Sequence, residues 1–178
     1  MSDATAAPSH LVLVGLMGAG KTTVGRICAD RLGRPFVDTD DLVVTMAGMP
    51  FTEFFAEYGE PAFRQLERTA VADVCASPTP LVVACGGGTV VEPENRRRLR
   101  AAGVVVWLRA PVGVLAARVG DGQDRPLLAG DPVGALTRLE AAREAAYEAT
   151  AHVRIDTGDD DVDDTVDAVL RAYEVEHT

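Results

Sequence analysis

One octapeptide carries the most specific chemistry in this chain. Gly15-Leu16-Met17-Gly18-Ala19-Gly20-Lys21-Thr22 fits the pattern G-x-x-x-x-G-K-[ST] and directly follows the apolar run Leu11-Val12-Leu13-Val14. Lys21 is the sole lysine, and the other sixteen basic side chains are arginines. A compact ammonium on a flexible stem can reach the β- and γ-phosphates of a nucleotide through a narrow loop, where a planar guanidinium is too wide. The glycines let successive N–H groups turn inward as an anion nest at the start of the next helix, and the Thr22 hydroxyl suits Mg²⁺. Strand, loop and helix in this order predict a nucleoside triphosphate site.

Further along, Asp38-Thr39-Asp40 closes a second strand candidate. Residues two apart in an extended chain point the same way, so both carboxylates are expected to face one cleft at a strand's carboxyl end. One acid can serve Mg²⁺ while the other orients, or takes a proton from, a substrate hydroxyl. Capping a helix is the competing use, and Asp41 is expected to do that alone. Arg64 and Glu67 stand one helical turn apart, the spacing of a surface ion pair worth roughly a few tenths of a kcal/mol. Gly86-Gly87-Gly88 follows a third strand candidate and implies that something approaches the backbone closely, such as a ligand carboxylate or phosphate, a plain flexible turn being the alternative. Cys85 has no histidine beside it in sequence and reads as a small core residue rather than a nucleophile. Arg118 precedes, and Arg125 lies within, the Gly- and Pro-rich stretch from Gly120 to Pro132, which is expected to be a mobile lid. Arg143 and Tyr147 follow, one turn apart on the next helix.

Apolar runs alternate with helical patterns throughout, which predicts a parallel sheet covered on both faces. The strand candidates are Leu11–Val14, Pro35–Val37, Leu81–Ala84, Val104–Leu108 and His152–Ile155. Helices are expected at Lys21–Leu32, Asp41–Ala47, Thr52–Ala76, Glu94–Ala101, Val112–Val119, Pro132–Thr150 and Val162–Glu174. At 178 residues, 47% hydrophobic and 25% charged, the chain suits one domain at 10–178 behind a disordered leader at 1–9. A net charge of −10 argues against nucleic acid or a membrane surface as a partner. Seven aspartates between Asp156 and Asp167 suit a solvated helix start, and Arg96-Arg97-Arg98 with Arg100 an exposed helix face. Cys28, Cys75 and Cys85 are widely spaced and odd in number, which fits a reducing cytoplasm.

Together these motifs, in order from Leu11 to Asp156, resemble the shikimate kinases. The resemblance implies a P-loop NTPase fold of the nucleoside-monophosphate-kinase type: three α/β/α layers, a five-stranded parallel sheet, a substrate-binding region at 38–68 and a lid at 119–131. It implies ATP contacts at Gly18, Ala19, Gly20, Lys21, Thr22, Thr23, Arg118 and Arg125, with Arg118 against the adenine, and Mg²⁺ at Thr22 and Asp38. It also implies that Asp40, Arg64, Gly86, Gly87, Gly88 and Arg143 hold shikimate beside a wall that includes Phe55, and that Lys21, Asp40 and Arg125 are catalytic. The implied reaction moves the ATP γ-phosphoryl group to the shikimate 3-hydroxyl, in a cytoplasmic monomer. Rival readings are a kinase of another polyhydroxylated acid, such as gluconate, and a nucleotide-dependent switch. The paired arginines Arg64 and Arg143 favour a rigid cyclic carboxylate over the first and have no use in the second.

Overall fold

Every expected strand forms, with ends shifted by a residue or two, in a computed structural model that describes residues 9–120 and 126–178. They are β1 (His10–Val14), β2 (Phe36–Asp38), β3 (Val82–Ala84), β4 (Gly103–Arg109) and β5 (Val153–Asp156). All pair in parallel in the order β2-β3-β1-β4-β5. β1 is buried along its whole length, as is β4 from Val104 to Leu108. That burial explains why they read as continuous apolar runs: helices cover the sheet on both faces, so neither side needs polar residues. The result is a three-layer α/β/α sandwich whose strands all end at one edge, where an open α/β sheet presents its ligand crevice.

Among the described residues seven α-helices connect or cover the strands: α1 (Lys21–Leu32), α2 (Thr39–Ala47), α3 (Phe51–Cys75), α4 (Pro93–Ala102), α5 (Val112–Val119), α6 (Pro132–Thr150) and α7 (Val162–His177). Two differ from expectation in ways that shape the site. α2 starts at Thr39 instead of Asp41, because Asp38 is the N-cap and its carboxylate accepts the Asp40 amide at 3.0 Å. β2 therefore stops at Asp38, and Asp40 lies in a helical turn rather than on an extended strand. The long helix α3 is broken at Gly59 (φ 79°, ψ 177°). A glycine takes that φ without a Cβ penalty, and Pro61 just beyond has no N–H to carry the earlier ladder onward.

The basic run on α4 is only half an exposed face. Arg97 and Arg98 do pair with Glu94 on the surface. Arg96, however, donates to the Val90 and Val91 carbonyls at 2.7 and 3.1 Å, and Arg100 to those of Thr150 and Ala151 at 3.0 and 3.1 Å. These two arginines satisfy carbonyls at element ends that lack partners of their own. In the acidic stretch Asp161 caps α7, while Asp163 and Asp167 bind Arg31 of α1 at 3.1 and 2.6 Å.

Two histidines tie the sheet to its borders as hydrogen-bond acceptors. His10 Nδ1 accepts from the Leu81 amide and His152 Nδ1 from the Val105 amide, each at 3.0 Å. Burial holds both imidazoles below their ordinary pKa, the Arg34 charge adding to the effect at His10 and that of Arg100 at His152. Below an unfolded pKa of about 6.5 the unfolded chain binds these protons before the folded one does. The stability they contribute is therefore complete above that pH and lost as pH falls toward the depressed folded values. The melting temperature is expected to drop between about pH 7 and pH 5, and His10→Asn, which keeps an acceptor for Leu81, to flatten that drop. Thermal melts of both proteins across this range check it; superimposable pH profiles would remove His10 as a cause.

Candidate active site

The phosphate loop joins β1 to α1 in the conformation its glycines permit. Gly15, Gly18 and Gly20 have φ of 149°, 83° and 92°. Gly20 caps α1 in the left-handed region without a side-chain hydrogen bond, so the first N–H groups of the helix point toward the loop opening. Ala19 is buried under the loop, and Thr23 is exposed on the first turn. Lys21 Nζ arches back to donate to the Gly15 and Leu16 carbonyls at 2.7 and 2.9 Å. The Thr22 hydroxyl donates to Asp38 Oδ2 at 2.8 Å. The two residues expected at the metal thus come together across sixteen residues of sequence, while Asp38 uses its other oxygen as the α2 cap. A hydroxyl and a carboxylate fit Mg²⁺, which binds few protein ligands and fills its octahedron with waters and phosphate oxygens. Among the described residues no cluster of three or more His, Cys, Asp or Glu could hold a metal without such help.

Arg118 on α5 spans from the loop to the segment after β5, donating to Gly18 O at 3.1 Å and to Gly158 O at 2.8 Å. This places it at the rim of the phosphate loop. Arg125, together with residues 121–125 of the expected lid, lies outside the described residues.

Beside the loop opens a cleft of about 320 Å³, lined by Met17 of the loop itself and by Asp40, Phe55, Arg64, Gly87, Gly88 and Arg143. Phe51, Phe55 and Phe63 form one wall, with ring centroids 5.0 to 6.3 Å apart. Arg143, only 6% exposed, also lines this cleft, and its Nη1 is buried with no hydrogen-bond partner among the described residues. A buried guanidinium nitrogen without an acceptor is costly, and a carboxylate entering the cleft would relieve that cost.

Arg64 is not the surface pair its spacing suggests. Its Nη1 meets Glu67 Oε1 at 2.7 Å, and Glu67 is 2% exposed, with Oε2 accepting from the buried Thr89 hydroxyl at 2.9 Å. A second, exposed acid, Glu60, lies 3.4 Å from Nη2. Glu67 thus fixes a guanidinium at the cleft wall, a role the helical spacing shows only in part because Thr89 is remote in sequence.

The glycine triplet is approached closely, but by the site's own side chains. A Cβ at Gly86 would sit 2.3 Å from Asp40 Oδ1, and one at Gly88 would sit 2.6 Å from Arg64 Nη2. At Gly87 the nearest atom to a Cβ would be Arg143 Nη1 at 3.4 Å, followed by the Met17 amide at 3.6 Å. Each glycine therefore faces a different residue of the expected acceptor set. Behind the triplet, burial pushes the Cys85 thiol well above its ordinary range and the Cys28 and Cys75 thiols up to about 11. Protonated at neutral pH, they are packing residues. The arrangement can bind a triphosphate on one side and, within reach of it, a small hydroxylated carboxylate on the other.

Comparison with known proteins agrees with that chemistry. The family described as "SKI: Shikimate kinase" matches residues 17–174. A shikimate kinase of Symbiobacterium thermophilum is 49% identical over 164 residues, covering 90% of this chain and 94% of the relative. One from Caulobacter vibrioides is 48% identical over 168 residues, covering 94% and 83%. The solved structure of a shikimate kinase from Acinetobacter baumannii in complex with shikimate superposes with a TM-score of 0.90 at 34% identity, covering 94% of both chains. The chain belongs to the shikimate kinase family.

Proposed function

We propose that this chain transfers the γ-phosphoryl group of ATP to the 3-hydroxyl of shikimate, giving shikimate 3-phosphate and ADP, with the cleft beside the phosphate loop as acceptor site. One observation carries the reading: Arg143, whose buried Nη1 has no hydrogen-bond partner among the described residues, lines one cleft with Asp40 and Arg64, next to a phosphate loop. In this reading the two arginines grip the acceptor carboxylate and Asp40 the ring hydroxyls, with Gly86–Gly88 and Phe55 shaping the pocket. A new bond forms from the hydroxyl oxygen to the γ-phosphorus as the bond to the β,γ-bridging oxygen breaks, its electron pair leaving on ADP. The hydroxyl proton passes to Asp40.

The transition state is loose and anionic, so positioning and charge neutralisation supply most of the acceleration. Lys21 and the Gly18–Thr23 backbone hold the phosphates, Arg125 clamps them from a lid at 119–131, and Arg118 lies against the adenine. Thr22 and Asp38 would hold Mg²⁺, which supplies further neutralisation of the phosphates when bound. The same reading makes residues 10–178 one kinase domain, with 38–68 as its acceptor region, acting as a monomer. All three cysteines are free thiols, which suits the cytoplasm. Among the described residues no helix is long and apolar enough to cross a membrane.

ADP release from MgATP should rise strongly with shikimate and not with gluconate; equal rates with and without shikimate would sink the acceptor assignment. Lys21→Ala should lower shikimate-dependent turnover by about a hundredfold or more.

Asp40→Asn can still hydrogen-bond a hydroxyl but cannot take its proton. It should retain shikimate binding by calorimetry while losing most turnover. Arg64→Lys should raise the shikimate KM nearly as much as Arg64→Ala, because an ammonium cannot make a bidentate contact with a carboxylate. An Arg64→Lys protein with wild-type KM would show that no such contact exists.

Glu67→Ala strips Arg64 and the Thr89 hydroxyl of a buried partner and should lower stability by about 2–3 kcal/mol. Chemical denaturation measures it, and a loss below about 1 kcal/mol would mean that the pair is effectively solvated.

A further inference from the structure

Two buried hydroxyls stand behind the glycine triplet without reaching the cleft. Thr39 is fully buried at the start of α2, and its Oγ1 accepts from the Gly86 amide at 2.9 Å. Tyr147 is 1% exposed on α6, stacks on Trp107 at 5.4 Å between centroids, and donates its hydroxyl to the Gly87 carbonyl at 2.5 Å. Neither side chain lines the cleft. Each nevertheless holds a peptide group whose other side carries an acceptor-site residue. The Asp40 carboxylate packs against the Gly86 α-carbon so closely that no Cβ could lie between them, and Asp40 directly follows Thr39 in sequence. The Arg143 guanidinium lies over Gly87, and Tyr147 stands one turn along the same helix.

We propose that Thr39 and Tyr147 are positioning residues of the acceptor site: Thr39 sets Asp40 through Gly86, and Tyr147 sets Arg143 through Gly87. The proposal rests on reading the cleft as the acceptor site. The two hydroxyls act on separate parts of the reaction. Asp40 handles the reacting hydroxyl, so a loose Gly86 lets the carboxylate drift from its in-line position and slows chemistry. Arg143 holds the far end of the acceptor, so a loose Gly87 weakens binding with little effect on the bound complex's turnover. Burial pushes the Tyr147 phenol up to about 12, against the opposing pull of the Arg143 charge, so it remains a donor throughout the working pH range.

Steady-state kinetics of near-isosteric variants test the division of labour, with rates normalised to the ADP-binding sites counted by calorimetry so that misfolded protein does not register. Thr39→Val should lower kcat about tenfold with the shikimate KM within about threefold of wild type, and Thr39→Ser, which restores the acceptor, should recover kcat. Tyr147→Phe should show the reverse, a shikimate KM raised about tenfold and kcat within about threefold. The MgATP KM should hold in all three. Amide hydrogen exchange supplies a readout independent of turnover: Gly86 should exchange faster in Thr39→Val and unchanged in Tyr147→Phe. Wild-type kinetics in either variant, equal changes in kcat and KM, or a Gly86 amide unaffected by Thr39→Val would overturn the proposal. Shikimate-independent ADP release by the wild-type enzyme would instead overturn the acceptor assignment on which the proposal rests.

Discussion

The pairing of β3 between β1 and β2 is the constraint on which the active site depends. Leu13, Ala84 and Asp38 sit in one register row across the three strands, and the Cys85 amide extends the row by donating to Leu13 O at 3.0 Å. Beyond that row each strand releases a different functional segment: the phosphate loop after β1, the glycine triplet after β3, and Asp38 with Asp40 at the end of β2. Parallel strands in register deliver all three to one level of one edge. A slip of one residue in β3 would invert its faces and carry the triplet away from both neighbours. The core that enforces this register, from Leu11 through Leu108, therefore sets the distance between phosphate donor and acceptor as surely as any residue in the cleft.

What surrounds that edge is electrostatically under-satisfied by design of its packing. Glu67 gives Arg64 a buried counter-charge, but Arg143 sits deeper with one nitrogen orphaned. The two arginines are thus prepared in different ways. Arg64 is preorganised by its partner and can accept an anion on an edge that exposed Glu60 otherwise approaches. Arg143 has less polar competition, and an incoming carboxylate gains the full value of satisfying a desolvated donor. Sites of this kind carry a stability cost that the rest of the fold offsets, here through a sheet whose central strands β1, β3 and β4 are buried.

The features legible in the sequence were those whose physics is contiguous. The phosphate loop could be read because strand, glycines, lysine and threonine must follow one another without interruption. The central strands could be read because burial on both faces leaves no polar alternation to confuse them. The features that escaped depend on partners far along the chain. Asp38 serves as cap and Thr22 partner together, and nothing local assigns the cap to it rather than to Asp41. The Arg64–Glu67 pair looks like surface decoration until Thr89, brought by the turn after the triplet, encloses Glu67. The break in α3 was signalled by Gly59 and Pro61 but outweighed by the helical apolar pattern on either side of them.

The glycine triplet shows why such distant dependences matter for function. Three glycines in a row ordinarily weaken a chain's hold on any single conformation, since each loses more freedom on ordering than another residue would. Here side chains take up the space that two of the Cβ atoms would have occupied, Asp40 from α2 at Gly86 and Arg64 from α3 at Gly88, while Arg143 from α6 lies within ordinary contact distance of Gly87. The thin backbone lets carboxylate and guanidinium groups converge on one cleft. Two hydrogen bonds restrain the freedom this introduces, one donated by the Gly86 amide to Thr39 and one donated by Tyr147 to the Gly87 carbonyl. Close approach and rigidity are opposing demands on one segment, and the fold meets them with different residues on its two faces.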